Sequence, residues 1–212
     1  MPVALPPAAD QAERLIDQGV HELSGLTAAD LRSAAEGDVE SSTSLIVIHP
    51  DLAPASRLAP LLNREGKAGF VVTDMTDVDA FTPIPEAALP ASQVYRVEGI
   101  DRGDKFLNWT PNEALPKILA GRRTPLTVSE GIFLLLQRPD LLERGRCFMT
   151  IGSRMRKQTG ALDARTPALW ISNGTGRDGR ENTGAPKLGW CWAGNRHTWL
   201  AIASAEARAP LA

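Results

Sequence analysis

The chain has 212 residues, 43% apolar and 23% charged, with 23 basic side chains against 25 acidic ones. These proportions exclude a disordered tail, a collagen-like rod and a disulfide-dense mini-protein. A net charge of −2 argues against general nucleic-acid binding, which needs an excess of Lys and Arg to neutralise phosphates.

The first third reads as helices followed by a buried strand. Ala9 to Gln18 is rich in helix formers and ends before Gly19. Thr27-Ala28-Ala29-Asp30 is a capping pattern that opens a short helix, with Leu31 as its apolar contact. A loop then leads to Leu45-Ile46-Val47-Ile48, β-branched enough for a core strand and stopped by His49-Pro50. Arg57 to Asn63 predicts a short helix interrupted by Pro60, and Gly69 to Thr73 a second strand. The acidic run Asp74 to Asp79 follows; it lacks the glycine and distal glutamate of a calcium loop, which leaves turn and cap duty.

The middle carries clear helix grammar. Val94 to Val97 alternates like a strand. Thr110-Pro111-Asn112-Glu113 combines an N-cap, a first-turn proline and a capping glutamate. The same grammar returns at Thr127-Val128-Ser129-Glu130, opening a helix through Gln137 that Arg138-Pro139 ends. Leu115, Ile118 and Leu119 form one apolar stripe; Ile132, Phe133, Leu135 and Leu136 form another. The expectation is two packed helices with a short connection.

From Arg146 the chain turns β-like, over Cys147 to Ile151, Pro167 to Ser172, Lys187 to Ala193 and His197 to Ala203. Helices gathered ahead of adjacent strands predict an α+β fold. In it, N-terminal and central helices pack on a mostly antiparallel sheet that ends in a Trp-rich hairpin. One globular domain over residues 1–212 is expected, loosely ordered at 1–12 and mobile in the Gly-rich loop 173–186.

Charge is uneven: residues 1–100 sum to −9 and residues 101–212 to +7. The halves either cancel by packing together, or the basic half supplies an anion-binding patch around Arg144, Arg146, Arg154, Arg156 and Lys157.

Formal motifs are weak. Gly174-Thr175-Gly176-Arg177-Asp178-Gly179 matches G-x-G-x-x-G, but the following Arg180 to Pro186 cannot supply the helix a dinucleotide needs. His21, His49 and His197 show no metal-ligand spacing. No cofactor and no metal is called for.

Two clusters remain. In Asp101-Arg102-Gly103-Asp104, Arg102 could clamp a carboxylate or phosphate with Asp101 or Asp104 as acid or base, and Asn108 follows close behind. The alternative is a salt-bridged turn at the helix entrance.

The second cluster, Gly189 to Trp199, holds three of the five tryptophans around a Gly194-Asn195 turn. With a two-residue hairpin loop, Trp190 faces Trp199 and Trp192 faces His197. With a three-residue loop, Cys191 faces His197, which would create a thiolate–imidazolium nucleophile. The aromatic face is core, or a stacking platform for a planar or cationic ligand.

Several blocks resemble a bacterial domain-of-unknown-function family found chiefly in actinobacteria. They are Val72 to Asp79, Asp101 to Asn108, Pro125-Leu126-Thr127, Arg146 to Met149 with Gly152-Ser153-Arg154, and Pro186 to Asn195. The likeness spans roughly Glu13 to Ser204; the extended N-terminus and the 173–186 loop depart from the usual pattern. It implies a bacterial cytosolic protein and brings no established activity or catalytic residues.

The opening residues Met1 to Pro7 lack the basic residue and apolar run of a secretory signal. The longest apolar stretches fall far short of the roughly 20 residues of a membrane span. Cys147 and Cys191 could form one bridge at most, so the expectation is a cytoplasmic protein with reduced thiols and no membrane partner.

The functional expectation is a small anionic or planar ligand between the 101–108 loop and the C-terminal hairpin, met by Arg102, Asn108, Arg154 and Trp192. Cys191, His197, Asp101 and Asp104 would be the reacting groups if the protein is an enzyme. The alternative is an interaction module that uses its acidic and basic halves to dock a partner or to self-associate.

Overall fold

The computed structural model describes residues 2–36 and 43–211. Its helices are α1 (Ala8–Asp17), α2 (Val20–Ser24), α3 (Ala28–Glu36), α4 (Ala55–Leu58), α5 (Pro111–Ala120) and α6 (Val128–Gln137). Its strands are β1 (Ser44–Ile48), β2 (Asn63–Arg64), β3 (Lys67–Ala68), β4 (Phe70–Val71), β5 (Phe81–Pro83), β6 (Val94–Glu98) and β7 (Thr124–Pro125), then β8 (Cys147–Met149), β9 (Ser153–Met155), β10 (Arg165–Ile171), β11 (Pro186–Trp192), β12 (Leu200–Ile202), β13 (Ser204–Ala205) and β14 (Ala207–Pro210). The expected loop before β1 falls, over residues 37–42, outside the described residues.

The α+β class holds. An antiparallel sheet runs β1-β6-β14, and a five-stranded sheet runs β12-β8-β10-β11-β4. In the larger sheet β8, β10 and β11 are antiparallel, while the edge strands β12 and β4 run parallel to their neighbours. Helix α6 packs against both β1 and β10, and every residue of it is buried. That explains an apolar run too broad for a single stripe. Gly131 lets it approach the sheet: an added Cβ would lie 2.5 Å from Thr150 Cγ2 and 2.9 Å from Leu169 Cδ1.

All three predicted capping patterns form. The Thr27 hydroxyl accepts from the Asp30 N–H at 3.1 Å while the Asp30 carboxylate accepts from the Thr27 N–H at 2.7 Å. Thr110 with Glu113, and Thr127 with Glu130, make reciprocal boxes. Glu130 does a second job: wholly buried, it accepts from Arg208 at 2.5 and 2.8 Å and from the Tyr95 hydroxyl at 3.3 Å. The open edge of β1 is closed by Gln11, whose Oε1 accepts from the Ile46 N–H while its Nε2 donates to the Ser44 carbonyl. A side-chain amide thus stands in for a neighbouring strand.

Two expectations are corrected. Helix α5 does not lay a Leu115–Leu119 stripe on α6: it buries Pro111, Ala114 and Ile118 and leaves Leu119 38% exposed. Nor is there a C-terminal hairpin. Two strands, β8 and β10, lie between β11 and β12 in the sheet, so the Gly194-Asn195 turn joins strands that are not neighbours. The seven-residue β10 pairs with β11 along its whole length, Leu169 opposite Leu188. Burial of both these leucines fixes the register, because a one-residue slip would turn them to the other face. No helix among the described residues is long and apolar enough to cross a membrane.

Candidate functional site

The polar loop is built as a turn against the sheet. Asp101 exchanges backbone bonds with Ser204 at 2.8 and 2.9 Å, and its carboxylate accepts from the Gly103 N–H at 2.7 Å. Gly103 has φ +84°, and a Cβ there would sit 1.8 Å from the Ile202 carbonyl oxygen, so only glycine fits. Arg102 is buried and donates to both Asp104 oxygens at 2.9 and 2.7 Å and to the Leu141 carbonyl. Its hydrogen bonds, reinforced by Arg146, hold the Asp104 carboxyl below its ordinary range.

Beside this turn runs an open groove of about 560 Å³, lined by the 101–105 turn, Arg138 to Glu143, Arg146 and residues 2–4. Arg102, Arg138 and Arg146 are each paired there with Asp104, Asp140 or Glu143. An anion bound by these arginines must displace a carboxylate already in place; Lys105, also in the lining, has no ion pair among the described residues.

Asn108 joins the loop to the C-terminal segment. Its N–H donates to the His197 carbonyl at 2.8 Å, and its own carbonyl accepts from Arg196. Arg196 also pairs with Glu113 at the start of α5. The expected neighbourhood of the 101–108 loop and residues 195–199 therefore exists, made by backbone bonds rather than by the predicted strand pairing.

On the sheet side of this segment lies a pocket of about 340 Å³, lined by Arg144, Gly145, Cys147, Trp170, Ile171, Asn173 and Trp199. Trp170 and Trp199 meet at 73° with centroids 6.3 Å apart, and His197 stands 5.3 Å from Trp199. Burial pushes the His197 imidazole below its ordinary value, and among the described residues its Nε2 is buried without a hydrogen-bond partner. Cys147 lines the pocket; its thiol donates to the Glu143 carbonyl, and burial raises its pKa against the opposing charge of Arg102. Arg144 is exposed and forms no ion pair among the described residues.

Trp170 is itself fixed from behind. The Lys187 ammonium sits 4.5 Å from its ring centroid and pairs with both oxygens of Asp178 at 2.7 Å. Both charged side chains are about 10% exposed. Ser172 donates to the same carboxylate at 2.9 Å. Asp178, inside the Gly-rich 173–186 loop, is thus tied to strands β10 and β11 through Ser172 and Lys187. Gly189 gives the indole room, since a Cβ there would lie 2.7 Å from Trp170 Cη2.

The remaining candidates scatter. Cys191 lies opposite Thr166, not His197, and burial pushes its thiol up to about 11; no thiolate–imidazolium pair forms. Trp192 lies opposite Arg165, 46% exposed and edge-on to Trp190. Arg154 belongs to the β5–β9 ribbon, where it donates to the Asp163 carbonyl. The basic cluster disperses likewise, and Arg156 bonds the Gly160 carbonyl. Within the acidic run, Asp77 pairs with Arg165 and Asp79 receives the Ser56 N–H and hydroxyl.

Sequence reasoning missed Trp170, Lys187 and Asp178 as a unit. A lysine inside the apolar strand Pro186 to Trp192 was the available signal, since a buried lysine requires a partner.

Fold and pocket define a small α+β protein with an aromatic-walled cavity on one face of a mixed sheet. The chain belongs to a family of unknown function, DUF5701, whose profile matches residues 14–211. It matches no curated protein and no solved structure.

Proposed function

We propose that the protein binds a small planar anion in the Trp170–Trp199 pocket. One observation carries the reading: two indoles at 73° wall a cavity of about 340 Å³ beside an arginine with no carboxylate of its own among the described residues. That volume suits a small metabolite, and aromatic walls favour a flat ligand through stacking and edge contacts. Arg144 offers a fork to a carboxylate or phosphate without breaking an existing pair. Two free cysteines fit a reducing, cytoplasmic setting.

The charged groove beside Arg102 gives weaker support to the same chemistry, because its arginines are already spent. An interaction module resting on complementary halves also has less behind it. Ion pairs form mainly within each half, as in Arg196–Glu113 and Lys187–Asp178, with Arg165–Asp77 running between them.

The test is tryptophan fluorescence titrated with benzoate, indole-3-carboxylate and adenosine monophosphate, with benzamide as the neutral control. The expected result is saturable quenching by at least one anion, lost in Trp199→Ala. Arg144→Gln should weaken the anion about fivefold, since the side chain is exposed and its contribution is near 1 kcal/mol, and leave benzamide unchanged. Absence of saturable quenching, or equal affinity in Trp199→Ala, refutes the proposal.

A further inference from the structure

The tryptophan pocket and the charged groove beside Arg102 share a wall. Arg144, Gly145 and Cys147 line the pocket, whereas Glu143 and Arg146 line the groove. Between the two stands a single tight turn. The Arg146 N–H donates to the Glu143 carbonyl at 3.0 Å, and the Glu143 N–H donates back to the Arg146 carbonyl at 3.3 Å. The wall is thin: the Cys147 thiol on the pocket side donates to the carbonyl of Glu143 on the groove side. The charge of Arg102, in the groove, acts on that same thiol.

The crest of the turn is open. Residues 143–146 are all exposed, Gly145 has φ +74°, and a Cβ there would meet nothing within 4 Å. Among the described residues the N–H groups of Arg144 and Gly145 make no hydrogen bond. Successive N–H groups on a turn, with a guanidinium beside them, favour an anionic oxygen. A ligand chain can therefore cross the crest from pocket to groove and meet donors on the way.

On the far side the arginines hold carboxylates, but Lys105 does not. It is exposed, its ammonium lies 5.2 Å from the Phe106 ring centroid, and it has no ion pair among the described residues. Asp104, its neighbour, is already offset by Arg102 and Arg146. Each side of the turn thus offers one cation that a ligand can engage without breaking a pair, Arg144 in the pocket and Lys105 in the groove. A small anion such as benzoate engages only the first. A ligand that uses both has a planar head and two linked anionic groups.

We infer that the site takes a nucleoside diphosphate, its base between Trp170 and Trp199 and its diphosphate over the 143–146 turn. This rests on the tryptophan-pocket reading and extends it from a single anion to two. A cavity of about 340 Å³ has room for a base with its ribose, and indoles at 73° give the base one face and one edge contact. Asn173, in the same lining, offers its amide to a ribose hydroxyl. The first phosphate meets Arg144 and the crest, and the second meets Lys105.

The experiment is calorimetric titration of the full chain with adenosine, adenosine monophosphate and adenosine diphosphate at physiological ionic strength, with benzoate as the anion that has no tail. The diphosphate should bind about fivefold more tightly than the monophosphate, the contribution of one exposed charged contact. Lys105→Gln should abolish that step and leave the monophosphate and benzoate unchanged. Lys105 is on the surface, so its variant folds. A diphosphate no tighter than the monophosphate overturns the inference, as does an undiminished step in Lys105→Gln. Benzoate binding without a diphosphate step sinks this inference alone; failure of every anion to bind sinks the pocket reading with it.

Discussion

Replacing Asp178 by Asn isolates the buried ion pair that pins the Gly-rich loop and backs Trp170. The substitution keeps the side chain's size and removes its charge, leaving the Lys187 ammonium about 11% exposed with no carboxylate. Breaking a buried pair from one side costs about 3–5 kcal/mol, because the surviving charge is stranded. Lys187 keeps its place over Trp170 at 4.5 Å, a contact common to both proteins that leaves the cost unchanged. The expected loss is therefore about 3–5 kcal/mol, or a fall in Tm of roughly 6–20 °C, for a chain of this size. Urea denaturation followed by circular dichroism measures it. The double variant Asp178→Asn with Lys187→Met should recover most of the loss, since no buried charge remains. Hydrogen exchange should localise the effect: the Gly174 N–H, which donates to the Ser172 hydroxyl at 3.1 Å, should exchange faster in Asp178→Asn. Asn173 lines the tryptophan pocket, so affinity there should fall as the loop loosens. A cost below about 1 kcal/mol, or a double variant no more stable than the single one, refutes the reasoning that Asp178 and Lys187 act as one desolvated pair.

Two further predictions concern the sheet. Cys191, pushed up to about 11 from an ordinary 9.0 by burial, holds its proton longer when folded than when unfolded. The stability this contributes is full below about pH 9 and is lost as pH rises through about 11, amounting to about 2.7 kcal/mol. Cys191→Ala should flatten the alkaline side of a stability–pH profile by about that amount, and iodoacetamide labelling of Cys191 at pH 8 should be slow. Rapid labelling there would contradict the burial argument. Gly189→Ala places a methyl group 2.7 Å from Trp170 Cη2 and 3.1 Å from Val72 Cγ1, so the indole or Val72, just beyond β4, must shift. The expected cost is about 1–3 kcal/mol, with a changed Trp emission maximum; an unaltered spectrum and stability would show that the indole does not lie over Gly189.

What the sequence determined by itself was local. The three capping boxes, the ends of α1 and α6, and the strands at Leu45 to Ile48 and Val94 to Val97 follow from residues within four positions of one another. The helix caps close within a single turn, and the strands follow from short runs of β-branched and apolar residues. The α+β class also followed, from the order of those elements along the chain.

Strand neighbours were decided elsewhere. Gly194-Asn195 satisfies the short-range rule for a hairpin, yet β11 gains more by pairing with β10, where Leu188 and Leu169 are buried together. That choice depends on where α6 lies, and no window around the turn contains the information. The same holds for the sites. Trp170 and Trp199 are 29 positions apart in sequence, and the sheet alone brings their rings to 6.3 Å. Whether an arginine is free to meet a ligand depends on which carboxylate tertiary packing sets beside it: Arg102 is taken by Asp104, and Arg144 by none among the described residues.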